Sequence, residues 1–405
     1  MNNMNKKNIY IIGIGGIGAS ALGRLFHEQG HNVSGSDMEH WSLIDDLKEE
    51  GIKVTIGHDE KNLPENADLV IYSEAIPENN IELVKAKKNK MKTQTYFEAL
   101  GDFSKNYVTI AVAGAHGKTT VTAMAAKVLI EAGIDPTVVI GSKMKELGNR
   151  NSRLGNSQYM IVEACEYRRS FLHLHPNIAI ITNIEFEHPD YYKDEEDYKR
   201  AFDEFISLIP ENGKKITGSP KVDFELQIPG DYNKENAGLV MELADYLGIP
   251  QENAKQSLQN YTGAWRRFEI KDPIGETIII DDYGHHPTEI KATLKGVREK
   301  YPNSKVLCVF QPHQYTRTYE LLSDFAKSFK DADEVIIPNI YKVRDSEEDV
   351  AKVSPQKLVD AINEETNNAR FGNGLDATKK EIHEKAADYD VIIVMGAGDI
   401  WKILE

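Results

Sequence analysis

Cysteine is nearly absent from this chain: Cys165 and Cys308 are the two in 405 residues. They stand far apart and at no metal-ligand spacing. That excludes a disulfide framework and a thiolate metal site, and it fits two reduced thiols. Long apolar runs are missing as well, so no segment is expected to span a bilayer. The stretch 9–26 follows Lys6 and Lys7 in the manner of a signal peptide. However, Gly13, Gly15, Gly16, Gly18 and Gly23 punctuate it and Arg24 interrupts it, so a glycine turn accounts for it better. A cytoplasmic protein is expected. Positive charge is in deficit, with 48 Lys and Arg against 64 Asp and Glu and a net charge of −16. Such a surface repels nucleic acid and anionic lipid, so neither is an expected partner. An anionic substrate must be drawn in by local basic groups. Internal repeats and low-complexity linkers are also lacking.

What is present is the balance of a globular chain, 40% apolar and 28% charged, and long enough for two or three domains. Three αβ blocks follow one another. Strand-like runs fall at 8–12, 31–34 and 68–72, then at 107–112, 159–162 and 178–181, then at 277–280, 305–310, 334–337 and 391–395. Helical stretches separate them, among them 233–247. This alternation implies parallel sheets. The expected fold is α/β in three domains, each a mainly parallel sheet with flanking helices. They are a Rossmann-like domain at 1–104, a P-loop-type domain at 105–263 and a second Rossmann-like domain at 264–405. Ligands on such sheets gather at the carboxyl ends of strands. Asp281-Asp282, Gln311-Pro312-His313 and Gly396-Ala397-Gly398 fall there.

Two glycine loops follow strands. Gly13-Ile14-Gly15-Gly16-Ile17-Gly18 is a full G-x-G-x-x-G, with Asp37 about 20 residues further on. Alone it supports an NAD-dependent oxidoreductase, but its physics is broader. Glycines let backbone N–H groups approach any diphosphate at a helix N-terminus. The loop Gly114-Ala115-His116-Gly117-Lys118-Thr119-Thr120 is more specific. Its backbone N–H groups can cradle phosphate, Lys118 can neutralise it and Thr119 can reach a magnesium ion. Two residues separate Gly114 from Gly117, fewer than in the standard phosphate loop.

Acidic and imidazole groups collect at later strand ends. Glu163 ends one run, and the next leads into Thr182-Asn183-Ile184-Glu185-Phe186-Glu187-His188-Pro189-Asp190. In adjacent parallel strands both would lie near the phosphate loop, where a carboxylate and an imidazole suit a metal bridging phosphates. Glu185 and Glu187 are expected to be solvated. In the last block, Asp281-Asp282-Tyr283-Gly284-His285-His286-Pro287 and Phe310-Gln311-Pro312-His313-Gln314-Tyr315-Thr316-Arg317-Thr318 each end a strand. Zinc would need a third ligand at suitable spacing, so binding of a small polar substrate is expected instead. Arg266-Arg267 at the domain junction is expected to meet phosphate or solvent.

Taken together and in this order, these segments resemble the Mur ligase family over nearly the whole chain. The resemblance implies ATP-dependent joining of L-alanine to UDP-N-acetylmuramate through an acyl phosphate, in peptidoglycan precursor synthesis. ATP and Mg2+ would be the cofactors, and the protein would be a monomer or homodimer. By the same resemblance, Gly114, His116, Gly117, Lys118, Thr119 and Thr120 hold ATP, with Asn233, Asn236, Arg267 and Asp282 on its adenosine side. Thr119, Glu163 and His188 look like metal ligands. Lys118, His188, His285, His313 and Arg317 look like the catalytic set, with Tyr283 by the amino acid. Gly13, Gly15, Gly16, Gly18, Ser36, Asp37 and Ser73 look like the UDP-sugar site, which turns the first glycine loop from an NAD site into a substrate site. Gln314 stands where many members carry arginine. Cys165 and Arg168-Arg169 replace a more acidic pattern, and 217–229 is much shorter than its counterpart in relatives. The alternatives are a ligase attaching a whole murein tripeptide, an NAD-dependent oxidoreductase, or a nucleotide-binding relative without chemistry.

Overall fold

The computed structural model describes residues 6–188, 191–343 and 345–405. Two compact units divide the chain, residues 1–222 with 235–260 and residues 223–234 with 261–405. The first holds two sheets. In the first of these, β1 (Asn8–Ile12), β2 (Asn32–Asp37), β3 (Lys53–Ile56), β4 (Leu69–Tyr72) and β5 (Thr93–Thr95) take the order β3-β2-β1-β4-β5. All neighbours are parallel. The order reverses between β1 and β4, so a crevice opens beyond the carboxyl end of β1, where the glycine loop lies. Helices α1 (Ile17–Glu28), α2 (Ser42–Glu49), α3 (Ile81–Lys88) and α4 (Tyr96–Ser104) connect the strands.

The second sheet comprises β6 (Val108–Ala113), β7 (Thr137–Met144), β8 (Arg150–Arg153), β9 (Tyr159–Glu163), β10 (Pro176–Ile181) and β11 (Lys214–Thr217), in the order β11-β10-β6-β9-β7-β8. Only the β8 edge is antiparallel. Its helices are α5 (Lys118–Glu131), α6 (Glu195–Ser207), α7 (Asp231–Tyr246) and α8 (Gln251–Gln259). The strand β6 is apolar and buried along its length because helices cover both faces of a parallel sheet. Residues 218–230 contain no helix or strand, so β11 is the edge.

The second unit holds the third sheet. Its strands are β12 (Glu269–Ile274), β13 (Thr277–Asp282), β14 (Val306–Phe310), β15 (Glu334–Ile337), β16 (Ala369–Phe371) and β17 (Val391–Met395), in the order β12-β13-β17-β14-β15-β16. All pairs but the β12 edge are parallel. Helix α9 (Pro287–Lys300) follows β13 and α10 (Tyr315–Glu320) follows β14. Three mainly parallel sheets with flanking helices bear out the expected α/β class. Among the described residues, no helix is long and apolar enough to cross a membrane. Both cysteines are free thiols.

The two sheets of the first unit share one core: Ile9, Ile11 and Leu25 belong to the same buried cluster as Val162, Phe171 and Phe202. A polar seam runs beside it. Arg24 of α1, 1% exposed, pairs with Glu50 at 2.7 Å and bonds Asn151 of β8. Asn151 in turn donates to Ser20 Oγ at 2.9 Å, and Lys143 of β7 reaches Asp46 of α2 at 2.7 Å. Removing one partner of a buried pair strands the other, at a cost of about 3–5 kcal/mol. Arg24→Ala should therefore lower the urea midpoint of the first unit by that order, whereas Lys385→Ala at an exposed helical pair should cost less than about 0.5 kcal/mol. Equal shifts in the two variants would remove the seam from the account of stability.

Candidate functional site

The phosphate-type loop leaves β6 at Gly114 and enters α5 at Lys118. Gly114 has φ 144° and Gly117 φ 81°. A Cβ at Gly114 would overlap the Thr182 hydroxyl, so this position needs glycine sterically as well as conformationally. Thr182 and Asn183, just beyond β10, clamp the loop. Thr182 Oγ1 donates to the His116 carbonyl at 2.6 Å, and Asn183 Oδ1 accepts from His116 N at 3.1 Å. The N-terminus of α5 has no side-chain cap and no acidic residue in its first turn, which leaves its N–H groups and dipole for an anion. Asn236 of α7 lies against Gly117.

Lys118 folds back over this loop. Its Nζ donates to the Gly114 and Ala115 carbonyls at 2.5 and 3.0 Å and pairs with Glu166 at 2.8 Å. Burial works against its charge, but Glu166 outweighs burial and holds the ammonium above the ordinary lysine range. Glu166 is 1% exposed, and burial alone would raise its pKa; Lys118 and His188 reverse that and bring it to about 2. His188, at φ 59°, places Nε2 3.2 Å from Glu166 and 3.9 Å from Glu187. Glu187 is 11% exposed and faces this imidazole, which corrects its expected solvation. Glu185 is exposed, as expected. Pro189 and Asp190 of the same turn lie outside the described residues.

The expected metal ligands thus fall into two groups. Thr119 Oγ1 donates to Glu163 Oε2 at 3.1 Å, and Gly141 N donates to the other Glu163 oxygen at 2.6 Å. His188 joins Glu166 and Glu187, with ligand atoms all within 4.8 Å of one another. The hydroxyl and carboxylate oxygens of Thr119, Glu163, Glu166 and Glu187 are the donor type a hard divalent cation takes. Sequence reasoning missed Glu166. The available signal was its position three residues after Glu163, in the turn that leaves β9.

The first glycine loop is built in the same way with different partners. Gly13, φ 80°, and Ile14 donate their N–H groups to the Ser36 carbonyl at 2.8 and 3.1 Å, and Ser73 packs beside Gly13. Gly16 starts α1 with no side-chain cap and no acidic first turn. Gly15 N donates to Asp37 Oδ2 at 2.8 Å, so this carboxylate closes on the loop itself. The Ser36 hydroxyl turns inward to buried Glu82 and to His58. Gly18 lies against the ring of Tyr96.

The second unit gathers its own group at the carboxyl ends of β13 and β14. Tyr283 and His285 rings meet at 5.6 Å, His285 and His313 at 5.9 Å, and His313 stacks on Tyr341 at 5.6 Å. Arg317 of α10 acts electrostatically on His285. Arg317 Nη1 is buried and has no hydrogen-bond partner among the described residues. Gln314 starts α10 at φ 74°. Asp282 accepts from Phe268 N and Gly284 N, both at 2.8 Å. Arg267 lies over the Tyr283 ring at 4.9 Å. Arg266 does not face solvent: it is 2% exposed, paired with Asp281 at 3.1 Å and bonded to the Gly396 carbonyl. Asn233 Nδ2 donates to the Pro229 carbonyl at 2.6 Å.

An uncapped phosphate loop with a buried lysine and a carboxylate on the next strand defines a phosphate-transferring enzyme. Residues 8–108 match the Mur ligase family catalytic domain, 112–219 the Mur ligase middle domain and 266–398 the Mur ligase glutamate ligase domain. The UDP-N-acetylmuramate–L-alanine ligase of Clostridium acetobutylicum is 37% identical over 453 residues, covering 100% of this chain and 98% of that one. The protein of the same name in Acetivibrio thermocellus is 37% identical over 451 residues, covering 98% and 95%. The crystal structure of the UDP-N-acetylmuramate–alanine ligase of Thermotoga maritima superposes with a TM-score of 0.83 at 28% identity, covering 98% and 97%. A murein peptide ligase of Psychrobacter arcticus shares the fold, with a TM-score of 0.72 at 22% identity and coverage of 98% and 97%. The chain belongs to the Mur ligase family, as its motifs led one to expect.

Two outcomes test this geometry. Glu166→Gln should cost about 3–5 kcal/mol by leaving a buried ammonium unpaired. Adding Lys118→Met should restore much of the loss, and additive losses in a denaturation double-mutant cycle would deny the coupling. Burial lowers His285 to about 3, reinforced by Arg317 and His313 and opposed by Glu289. Its folded pKa lies below the free value of about 6.5, so the unfolded chain takes up the proton first. Stability is then lost as pH falls through the window from about 6.5 to 3. His285→Gln should flatten the urea midpoint against pH between about 6.5 and 4, and an unchanged slope would contradict the assignment.

Proposed function

We propose that this chain joins L-alanine to the lactyl carboxylate of UDP-N-acetylmuramate at the expense of ATP, in peptidoglycan precursor synthesis in the cytoplasm. The observation that carries this reading is the full-length match to ligases of that name, with Thr119 bonded to Glu163 and Lys118 paired with Glu166 beyond the phosphate-type loop. We assign the UDP-sugar to residues 1–104, ATP to 105–263 and the amino acid to 264–405. The uncapped N-terminus of α1 and the Gly13–Gly18 loop receive the diphosphate of the sugar nucleotide. The loop from Gly114 to Thr120 receives the phosphates of ATP, with Asn236 beside it, and Asn233, Arg267 and Asp282 are assigned to the nucleoside. A carboxylate oxygen of the sugar substrate attacks the γ-phosphorus, ADP leaves and an acyl phosphate remains. Lys118 counters the negative charge that develops, released from Glu166 towards the phosphates. Thr119 and Glu163 are suited to hold magnesium, and His188 with Glu166 and Glu187 a second cation. A divalent ion bound there screens phosphate charge.

The alanine amine then attacks the acyl carbon, inorganic phosphate departs and the amine loses a proton. His188, His285 and His313 are the imidazoles whose chemistry suits them to accept it. Arg317 carries the charge to hold a carboxylate or the departing phosphate, and Tyr283 and His313 line the same cluster. The full-length match to ligases supports a UDP-sugar at the first glycine loop over NAD.

Purified protein with ATP, magnesium and UDP-N-acetylmuramate should release phosphate with L-alanine. Turnover only with a murein tripeptide would overturn the choice of amino acid, and tight NAD binding without ATP binding would overturn the class. Lys118→Ala should lower kcat by about 10²–10³-fold or more, and retained turnover would refute its role.

A further inference from the structure

One side chain beside the first glycine loop has no part in the scheme above. Strand β5 ends at Thr95, and a capping box fixes the first turn of α4: Glu98 N donates to Thr95 Oγ1 at 3.2 Å and Thr95 N to Glu98 Oε2 at 2.7 Å. Tyr96 is the first residue of that helix. It therefore leaves the first sheet at its carboxyl edge, the edge that carries Gly13, Asp37 and Ser73. Its ring leans on the first turn of α1. A Cβ at Gly18 would stand 2.6 Å from Cζ and 2.8 Å from Oη of Tyr96, so glycine at 18 is what lets the phenol occupy this place. From the other side the phenol feels Glu163 and Cys165 of the β9 turn, and burial and these groups together hold it protonated.

The hydroxyl has no protein partner among the described residues, in contrast to those of Tyr192 and Tyr389. Tyr192 donates to the Glu166 carbonyl and Tyr389 to Glu334. The Tyr96 ring is anchored by packing, edge-on to Phe97 at 4.9 Å and against the shared core of the first unit. The ring is thus fixed while its donor stays unused. It thus neighbours the α1 terminus, assigned above to a diphosphate, and stands within electrostatic reach of Glu163, assigned to magnesium. A substrate with its diphosphate at one and its carboxylate at the other must pass the phenol.

We propose that Tyr96 Oη donates a hydrogen bond to the sugar–lactyl portion of the nucleotide-sugar substrate and sets where its carboxylate points. This rests on the function proposed above. The contact distinguishes a UDP-sugar acid from UDP alone, because UDP ends at the diphosphate.

Tyr96→Phe removes only the hydroxyl and keeps the ring on Gly18. Binding of UDP and of UDP-N-acetylmuramate is measured by calorimetry on wild type and variant, with melting temperature and steady-state kinetics alongside. A hydrogen bond to an anionic ligand sets the expected scale at about a tenfold loss. The variant should bind UDP-N-acetylmuramate about tenfold more weakly, bind UDP as wild type does, and raise the KM for the sugar nucleotide while those for ATP and L-alanine stay unchanged. Unchanged affinity for both ligands overturns the proposal, and so does an equal loss for both, which would mean a disturbed α1. Failure of the wild type itself to bind UDP-N-acetylmuramate would instead bring down the proposed function.

Discussion

The ion pair between Lys118 and Glu166 is the constraint on which the rest of the site depends. An ammonium in the protein interior is costly unless it is paired and its donors are used. Here one carboxylate and the carbonyls of Gly114 and Ala115 take it up. To supply that carboxylate the chain must leave β9 in a tight turn, in which Arg168 and Arg169 adopt left-handed conformations at φ 53° and 59°. Glu166 also holds His188 from the turn beyond β10. Three strand ends, those of β6, β9 and β10, are thereby tied through three side chains, Lys118, Glu166 and His188. In a chain of net charge −16, this is also how one cation is kept in place where anions must arrive.

Such a pair stores a lysine without committing it. Glu166 outbids water for the ammonium, but a polyphosphate brings more negative charge to the same end of α5, where uncapped N–H groups already favour an anion. Under the proposed function the lysine turns to the phosphates, and Glu166 stays beside Glu187 and His188. Two carboxylates and an imidazole at that spacing repel when both acids are ionised, which favours a cation between them.

The elements legible in the sequence are those that physics marks locally. Continuous apolar runs made β1, β6, β9, β10 and β17 visible, because strands covered on both faces need them. Glycine spacing marked both loops. The three-residue strands β5 and β16 carry no run to read, and β7 is broken by Gly141-Ser142. Glu166 and Arg24 were hidden for a different reason. An isolated acid or base has no period, and its meaning comes from partners distant in sequence, as Arg24 finds Asn151 127 residues away. Arg266 misled in the same way: next to Arg267 it read as a surface charge, yet the buried Asp281 claims it.

The shared core and the Arg24 seam also bear on why two such similar loops do not compete for one ligand. Helix α1 begins at the first loop, and its body packs against the strands β7 and β8 of the second sheet. Both helix N-termini therefore belong to one compact unit. A dinucleotide fold would bring its acidic residue to the ribose, but here an oxygen of Asp37 accepts from Gly15 N. Under the proposed function these two uncapped helix ends take different phosphate ligands, and a sugar-nucleotide acid held at the first must be long enough to present its carboxylate at the second.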